Sequence, residues 1–429
     1  MSIAEETLRM KEISPVLAAS SAEQRNAALK AIADKLCDNA AVIFAENEKK
    51  DLNAAHEAGV SDAVAKRLKF NDAKLSDCIK GIEQLIKLPD PIGRITLARE
   101  LDEGLKLYRV SCPIGVIGVI FEARPDAMVQ ISSLCIKSGN CAVLKGGRET
   151  ATTNRLLFKL IHEAVTEAGL PDMCLVQAEQ HSEIDELLTC DKNVDLLIPR
   201  GSNAFVRHIM DNTKIPVMGH SDGICHIYVD KDADPDKAIR VIVDAKTQYT
   251  AACNATETLL VNQDIAEEFL PLIAKALKAA GVRIHGTKEV CDIIDAELLE
   301  PEIFREYLDL EISIKLVSGI DEAIAHINRY GSHHTDAIIT ENAAAADKFM
   351  QMVDSAGVYQ NCSTRFADGF RYGFGAEVGI STSKLHARGP VGLEGLMSYK
   401  YKLYGNGDIV ADYASGKKQF THKDIDIDA

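Results

Sequence analysis

One short stretch of the chain combines a cysteine with small and hydroxyl-bearing residues. Cys253 lies within residues 248–258 (QYTAACNATET), directly before the apolar run Leu259-Leu260-Val261. A substrate can reach a thiol that has so little bulk around it. A free thiol has a pKa of about 8.5, so a nucleophilic role requires surroundings that lower that pKa. The alternative is a small buried apolar side chain, which is the more common state of a cysteine.

Composition and charge limit the classes of function. The chain has 429 residues, enough for two or three domains, and its 46% hydrophobic and 26% charged residues are typical of a globular protein. The formal net charge of -16 argues against a nucleic-acid partner, yet it allows a local cationic pocket for an anionic substrate. We therefore expect an enzyme that acts on a small molecule.

The cellular compartment is indicated by the N-terminus and the cysteines. The N-terminal residues lack the basic and apolar regions of a signal peptide, and no apolar run approaches the roughly 18 residues of a membrane span. The eleven cysteines are odd in number and lack metal-ligand spacing, which is typical of a reducing compartment. We expect a cytoplasmic protein with no bound metal and no membrane partner.

The first part of the chain predicts helices followed by a hairpin. Apolar residues recur at helical spacing between residues 22 and 53, which indicates core packing, and residues 62–69 and 72–87 predict two more helices. After a Pro- and Gly-containing break at residues 89–93, residues 94–111 alternate partly around Glu103-Gly104. This pattern predicts a β-hairpin that projects from the main body.

The remainder alternates between apolar strands and helices. Residues 113–121 form a fully apolar run, typical of a strand buried on both faces of a parallel sheet. Further strands are predicted at 141–144, 174–176 and 194–198, and a second set at 226–230, 258–261, 312–317 and 336–339. The alternation predicts two doubly wound α/β domains, with a boundary near residues 220–227. The charged segment 417–429 is expected to be loosely ordered.

Five motifs occur together in this chain. They are FEARP at residues 121–125, PRG at 199–201, Cys253-Asn254, the segment 317–338 with AIAHI and YGSHHTD, and SKLHARGP at 383–390. Together they resemble the γ-glutamyl phosphate reductases, also called glutamate-5-semialdehyde dehydrogenases, a family within the aldehyde dehydrogenase superfamily. The resemblance extends from the N-terminal helices to about residue 410.

The resemblance implies both an activity and an architecture. The activity is the NADPH-dependent reduction of L-glutamate 5-phosphate to L-glutamate 5-semialdehyde and phosphate, in proline biosynthesis. The implied fold is aldehyde dehydrogenase-like. It has an NADP-binding domain (residues 1–93 and 113–225), a catalytic domain (226–395), and a β-hairpin oligomerisation flap with a C-terminal tail (94–112 and 396–429). The implied partners are further copies of the chain in a dimer or tetramer, and a transient contact with a separate glutamate 5-kinase.

The resemblance assigns the nucleophile to Cys253. Its thiolate would attack the acyl phosphate and leave a thioester for reduction by hydride, and its backbone N–H is a natural oxyanion-hole donor. Hydrolytic aldehyde dehydrogenases carry a Glu-Leu-Gly-Gly stretch whose glutamate activates water. Residues 219–223 (GHSDG) stand at the corresponding place without a glutamate. A site without that base should protect the thioester from water and exchange it with phosphate.

Cofactor-binding residues are predicted mainly at the carboxyl ends of strands, where doubly wound sheets bind ligands. The resemblance places Lys145 against the adenosine ribose. Arg148 stands where NAD-preferring relatives often have an acidic residue, and an arginine there can pair with a 2′-phosphate, which favours NADP(H). Glu306 resembles the glutamate that holds the nicotinamide ribose, although a surface carboxylate is the alternative. The complete predicted set is Lys145, Gly146, Gly147, Arg148, Gly201, Ser202 and Glu306.

The predicted substrate-binding residues are polar side chains near the motifs. They are Arg124, Asn254, Asn361, Ser363, Arg365, His386 and Arg388. Arginine binds carboxylate and phosphate in a bidentate manner, but helix caps or polar core contacts explain some of the set equally well. Arg124 stands near the superfamily's oxyanion-hole asparagine, and it either meets the phosphate or faces outward. His326, His333 and His334 belong to the family signature and are assigned no catalytic role.

Two rival functions remain open. A CoA-acylating aldehyde dehydrogenase would also lack the water-activating glutamate, and dependence on phosphate rather than CoA separates it from the phosphate-dependent enzyme. A catalytically silent scaffold protein of the same fold is the other rival, and inactivity with every acyl donor would support it.

Overall fold

The computed structural model describes residues 1–60, 62–122, 124–219, 222–299 and 304–427, with the backbone alone for residues 62–64. The N-terminal part is helical, as the sequence predicts. Its helices are α1 (Ile3–Ala18), α2 (Ala22–Asp38), α3 (Ala40–Glu46), α4 (Asn53–Glu57), α5 (Asp62–Leu68) and α6 (Asp72–Lys87). Ser2 and Ser21 begin α1 and α2 through capping boxes, in which each serine side chain accepts a backbone N–H of the first turn.

The predicted hairpin is present and is longer than expected. Strands β1 (Ile95–Asp102) and β2 (Leu105–Pro113) pair antiparallel around Gly104, whose φ is 79°. The prediction of one strand from residue 113 to 121 is wrong at its start, because Pro113 belongs to β2. Gly115 separates the two strands at φ 132°, and a Cβ at this glycine would lie 2.2 Å from the Asp195 carboxylate. The next strand therefore begins at Val116.

A four-stranded parallel sheet forms the core of the first α/β unit. Its elements are β3 (Val116–Phe121), α7 (Pro125–Ser138), β4 (Cys141–Lys145), α8 (Ala151–Glu167), β5 (Leu175–Ala178), α9 (Ser182–Leu188), β6 (Leu196–Arg200) and α10 (Asn203–Asp211). The strand order is β5-β4-β3-β6. Every residue of β3 and β4 is buried, which accounts for their unbroken apolar sequences.

A second parallel sheet has seven strands. Its elements are β7 (Cys225–Val229), α11 (Pro235–Thr247), β8 (Thr256–Asn262), α12 (Ala266–Ala279), β9 (Arg283–Gly286), α13 (Lys288–Cys291), β10 (Glu297–Leu298), β11 (Glu311–Val317), α14 (Ile320–Tyr330), β12 (Thr335–Ile339), α15 (Ala343–Met352) and β13 (Gly357–Gln360). The strand order is β10-β9-β11-β8-β7-β12-β13. Sequence patterns missed β9 and β10, which are short and partly polar. The two sheets confirm the aldehyde dehydrogenase-like α/β fold.

The C-terminal part returns to the hairpin. After the small pair β14 (Gly379–Ser381) and β15 (Gly389–Val391), strand β16 (Met397–Tyr404) pairs antiparallel with β2. Helix α16 (Val410–Ala414) and strand β17 (Lys423–Asp424) follow, and β17 pairs with β1. The resulting sheet has the order β16-β2-β1-β17. Its role as an oligomerisation flap, and the division of the chain into domains, remain predictions.

The expectation of a loosely ordered C-terminal segment is wrong for most of its length. The Thr421 N–H donates to the Leu101 carbonyl at 2.8 Å, and the Ile425 N–H donates to the Ala98 carbonyl at 3.0 Å. The Phe420 ring stacks on Tyr413 with 4.2 Å between centroids. Backbone pairing with a distant strand holds the segment, and its charged composition gives no sign of such pairing. Within the described ranges, no helix combines the length and apolarity needed to cross a membrane.

Asn140 connects the first parallel sheet to the start of β16. Its side chain is fully buried, accepts the Gly115 N–H at 2.8 Å, and donates to the Leu396 carbonyl at 2.8 Å and the Ser138 hydroxyl at 2.7 Å. We expect Asn140→Ala to lower the free energy of unfolding by about 2–4 kcal/mol, because its backbone partners lose their hydrogen bonds. Denaturant unfolding measures the change. The exposed Asn53→Ala is the matched control, and equal stability of the two variants would contradict the expectation.

Candidate active site

The thiol of Cys253 and the imidazole of His334 meet at the amino edge of the seven-stranded sheet. Cys253 precedes β8 and His334 precedes β12, and β7 lies between these two strands. His334 Nε2 lies 3.1 Å from Cys253 Sγ, and His334 Nδ1 lies 2.9 Å from the Thr335 hydroxyl. The imidazole is fully buried and the thiol is half-buried. A nucleophile and a base at this separation form the arrangement that activates a cysteine.

The neighbouring strand β7 supports the backbone of the nucleophile. The Cys225 thiol donates to the Cys253 carbonyl oxygen at 3.3 Å. Burial raises the pKa of Cys225 well above its ordinary value, so this second thiol stays protonated and acts as a donor. One residue earlier, the Ile224 N–H donates to the Ser332 hydroxyl at 2.9 Å. These bonds hold the Cys253 turn against the segment that carries His334.

Arginine side chains supply positive charge around the thiol. Burial lowers the pKa of both Arg200, at the end of β6, and Arg365, while the charge of Cys253 acts on both in the opposite direction. Arg365 is buried, and its Nε donates to the Gln248 amide oxygen at 3.0 Å. The exposed Arg124 also acts on Arg200, and the like charge lowers the Arg200 pKa further. This group of guanidinium ions suits an anionic substrate.

Glu306 lies between the two parallel sheets and close to the nucleophile. The Asn203 amide donates to Glu306 Oε2 at 2.7 Å and to Asp222 Oδ1 at 3.0 Å. A Cβ on Gly223 would lie 2.2 Å from the Cys253 carbonyl oxygen and 2.6 Å from Glu306 Oε1. Only a glycine at position 223 therefore allows the Glu306 carboxylate and the Cys253 backbone to approach so closely.

A buried ion pair anchors the loop that carries Glu306. Lys246 Nζ donates to Glu257 Oε2 at 2.6 Å, and both side chains are almost completely buried. The other oxygen of Glu257 accepts the Leu308 N–H at 3.3 Å. Leu308 has a left-handed backbone, with φ 57°. The pair thus links the strand after Cys253 to the Glu306 loop.

A cavity of 370 Å³ lies beyond the carboxyl ends of β3 and β4. Its lining includes four of the predicted cofactor residues, Lys145, Gly146, Gly147 and Arg148, together with Glu122, Glu149, His181 and Phe205. Lys145 Nζ donates to the Gly146 carbonyl at 2.6 Å, and burial lowers the pKa of the lysine. A Cβ on Gly146 would lie 2.1 Å from the Asn154 amide nitrogen, and one on Gly147 would lie 2.1 Å from Glu149 Oε1. Glycine is therefore required at both positions for Asn154 and Glu149 to pack against this part of the cavity wall.

Two of the three remaining predicted cofactor residues, Gly201 and Ser202, lie beside this cavity. The Ser202 N–H donates to Glu122 Oε2 at 3.1 Å, and the Ser202 hydroxyl caps α10 by accepting the Phe205 N–H at 3.4 Å. A Cβ on Gly201 would lie 2.6 Å from Glu122 Oε2. Gly201 and Ser202 therefore position two of the lining side chains, Glu122 and Phe205.

Two predicted substrate residues hold the loop that follows β13. The buried Asn254 donates through Nδ2 to the Ala367 carbonyl at 2.8 Å, and its own carbonyl accepts the Thr364 hydroxyl at 2.7 Å. Ser363 accepts the Arg365 N–H at 3.3 Å and begins a short 3-10 turn. The alternative of caps and polar core contacts therefore describes both side chains, and their bonds tie the segment around Arg365 to the turn that carries Cys253.

Three predicted substrate residues lie away from Cys253. Asn361, at φ 54°, bonds through its amide to both backbone groups of Thr340. Thr340 follows the carboxyl end of β12, about 20 Å along the strand from His334 at 3.3 Å per residue. His386 and Arg388 line a different cavity of 740 Å³, where Arg388 donates to the Asp354 carbonyl at 3.0 Å. The structure does not bring these three side chains to the nucleophile.

Sequence reasoning missed three residues of this centre. His334 and Arg200 lie inside the quoted motifs YGSHHTD and PRG, so the motifs were the available signal. Glu377 lies in no quoted motif. Its Oε2 accepts the Gly369 N–H at 2.8 Å, and burial raises its pKa to about 7.

The other signature histidines have structural surroundings. His326 is buried against the Phe304 ring, with 4.5 Å between centroids, and burial lowers its pKa to about 3. His333 Nδ1 lies 2.6 Å from the Asp354 carbonyl oxygen. In the GHSDG stretch, His220 and Ser221 lie outside the described residues. Among the residues that the structure describes, no group of three or more potential ligands is placed to hold a metal ion.

The arrangement of two parallel sheets is that of an aldehyde dehydrogenase, and comparison with known proteins agrees. The model of the aldehyde dehydrogenase family matches residues 8–293. The γ-glutamyl phosphate reductase of Acetivibrio thermocellus is 56% identical over 98% of each chain. The crystal structure of the γ-glutamyl phosphate reductase of Thermotoga maritima has a TM-score of 0.92 at 39% identity, covering 95% of this chain and 100% of that one.

A more distant structure shares the fold alone. It is an acetylating aldehyde dehydrogenase from Geobacillus thermoglucosidasius, with a TM-score of 0.66 at 15% identity over 95% of this chain and 97% of that one. The chain therefore belongs to the aldehyde dehydrogenase family, and within it to the γ-glutamyl phosphate reductases. This membership confirms the resemblance that the sequence motifs indicate.

The contact between His334 and Cys253 predicts a measurable change in thiol reactivity. We expect His334→Gln to slow alkylation of Cys253 by iodoacetamide about tenfold or more at pH 7, because glutamine cannot accept the thiol proton. The deficit should shrink as the pH rises past the ordinary thiol pKa of about 8.5. Peptide mass spectrometry follows Cys253 separately from the other cysteines. His386→Gln is the control, and equal rates in the two variants would contradict the role of His334.

Proposed function

We propose that the chain reduces L-glutamate 5-phosphate to L-glutamate 5-semialdehyde and phosphate with NADPH, through a thioester on Cys253, as a step of proline biosynthesis. The observation that carries this proposal is the 3.1 Å contact between His334 Nε2 and Cys253 Sγ in a centre that also contains arginines. Membership of the γ-glutamyl phosphate reductases supports the choice of substrate.

Thioester formation follows from the residues around the thiol. His334 accepts the thiol proton, and the Cys253 thiolate attacks the carbonyl carbon of the acyl phosphate. A C–S bond forms while the bond between that carbon and the phosphate oxygen breaks, and phosphate leaves with the electron pair. Arg200 and Arg365 offset the negative charge of the substrate and of the departing phosphate. The Cys253 backbone N–H is the expected donor to the carbonyl oxygen.

The strand-end cavity fits the adenosine end of a dinucleotide. Gly146 and Gly147 expose backbone on its lining, and Lys145 and Arg148 supply positive charge on its wall. When bound, the reduced nicotinamide supplies the hydride that converts the thioester to the aldehyde. Glu306 would hold the nicotinamide ribose, because its carboxylate lies between the cavity-bearing sheet and Cys253. Release of the aldehyde breaks the C–S bond and regenerates the Cys253 thiolate.

The setting of the enzyme is proposed as part of the same function. It acts in the cytoplasm as a homo-oligomer, a dimer or tetramer, with contacts through the hairpin sheet. Exposed Tyr399, Tyr401 and Leu403 on the edge strand β16 support an interface there. Because glutamyl phosphate cyclises readily, a transient contact with glutamate 5-kinase would protect it during transfer. The domain division at residues 94, 113, 226 and 396 belongs to this proposal.

The reverse reaction tests substrate and nucleophile together. Pyrroline-5-carboxylate, the cyclic form of the semialdehyde, is mixed with NADP⁺ and enzyme, and NADPH is followed by absorbance. We expect NADPH formation that requires inorganic phosphate and disappears in Cys253→Ala, because phosphate must release the thioester. Activity without phosphate would indicate a hydrolytic dehydrogenase. Activity only with CoA would select the acylating rival, and inactivity under every condition would support the scaffold rival.

Arg148 predicts the choice between NADPH and NADH. The side chain is exposed on the cavity wall, where a guanidinium can pair with a 2′-phosphate. We expect Arg148→Ala to raise the KM for NADPH about 10- to 100-fold, as loss of a charged hydrogen bond does, and to leave the KM for NADH within about twofold. The control is Arg155→Ala, which removes an arginine paired with Glu179 outside the cavity lining. If Arg148→Ala raised the KM for NADPH and for NADH by the same factor, recognition of the 2′-phosphate by Arg148 would be excluded.

A further inference from the structure

Glu377 is a carboxylate near the nucleophile that the proposed chemistry does not use. We propose that Glu377 binds the α-ammonium group of the substrate and thereby selects amino-acid acyl phosphates over acyl phosphates without an amine. This inference rests on the proposed function and adds the group that recognises one end of its substrate.

The position of Glu377 follows from bonds that begin at the nucleophile. Asn254, the neighbour of Cys253, donates to the Ala367 carbonyl at 2.8 Å. Two residues further on, the Gly369 N–H donates to Glu377 Oε2 at 2.8 Å. A Cβ on Gly369 would lie 3.1 Å from the same oxygen. These bonds tie the loop between β13 and β14, which carries both Arg365 and Glu377, to the turn that carries Cys253.

The arginines around the thiol provide no partner for the α-ammonium group of the substrate. At neutral pH, L-glutamate 5-phosphate carries a phosphate, an α-carboxylate and an α-ammonium group. Arg124, Arg200 and Arg365 can neutralise the two anionic groups. The ammonium group needs a carboxylate that is close to the arginines and free to accept further hydrogen bonds. Arg200 and Cys253 both act electrostatically on Glu377, in keeping with the hydrogen bonds that connect its loop to the Cys253 turn.

The other carboxylates near Cys253 are already bound to side-chain donors. Glu257 pairs with Lys246 at 2.6 Å, and Glu306 accepts the Asn203 amide at 2.7 Å. Asp368 accepts the Arg371 N–H at 3.1 Å and lies 3.9 Å from the Arg371 guanidinium. Among the described residues, Glu377 forms no salt bridge, and its carboxylate accepts a hydrogen bond from the Gly369 backbone N–H. A carboxylate has about four acceptor positions, so most of this group remains available.

Proton transfer gives no competing reason for a carboxylate at this place. His334 lies on the thiol and accepts its proton. The leaving phosphate can take the proton that His334 removed from the thiol, so a second acid is not needed for that step. Aldehyde release regenerates a thiolate, which again needs no acid. Half-burial of Glu377 strengthens a pairing between its carboxylate and an ammonium ion by excluding water.

The test compares two aldehydes that differ only in the amine. Enzyme, NADP⁺ and inorganic phosphate are mixed with glutamate 5-semialdehyde or with 5-oxopentanoate, which has the same chain without the amino group. Glu377→Gln keeps an oxygen that can accept the Gly369 N–H and removes the negative charge. We expect this variant to lower kcat/KM for glutamate 5-semialdehyde about 10- to 100-fold, and to change kcat/KM for 5-oxopentanoate less than threefold.

Two further variants complete the test. Glu377→Asp keeps the charge and should retain at least part of the preference for the amine. Asp368→Asn removes a neighbouring carboxylate that already pairs with Arg371 and should change both substrates by the same factor. An equal loss with both aldehydes in Glu377→Gln, or no loss with either, would overturn the inference. Failure of the proposed function is distinct, because the unaltered enzyme would then show no phosphate-dependent activity with either aldehyde.

Discussion

The catalytic centre depends on the order of three parallel strands. Because β7 lies between β8 and β12, the segments that precede the two outer strands meet above the middle one. The contact between Cys253 and His334 therefore joins residues that are distant in sequence, and the fully buried imidazole has little freedom to leave the thiol. Any change that shifts the register of β7 against either neighbour would separate the Cys253 thiol from the His334 imidazole.

The two parallel sheets contribute opposite edges to the site. The first presents the carboxyl ends of β3, β4 and β6, where the cofactor cavity and Arg200 lie. The second presents its amino edge, where Cys253 and His334 lie. The hydrogen bond from Asn203 to Glu306 crosses between them. Ligand binding at carboxyl ends is the general rule for doubly wound sheets, and here it holds for the cofactor side only.

The sequence predicted the parts of this structure that depend on local patterns. Apolar runs located the buried strands, and α6 has the predicted bounds. Quoted motifs led to Cys253 as the nucleophile. The role of His334 could not be predicted in this way, because its contact with the thiol depends on strand order rather than on spacing along the chain. The position of Asn361 could not be read from the sequence either, since a left-handed backbone and its bonds to Thr340 hold it near the carboxyl end of β12.

The pairing of β17 with β1 has a consequence for how the antiparallel sheet can grow. Exposed strand edges are templates for further pairing, and proteins commonly cover them. Here the end of the chain lies along the centre of β1, at Arg99 and Glu100, while the whole length of β16 stays open on the opposite edge. A sheet with one covered edge can pair with a strand of another molecule at its open edge only. In the proposed homo-oligomer, pairing through this sheet would therefore use the β16 edge, which favours a closed assembly over a continuous fibre.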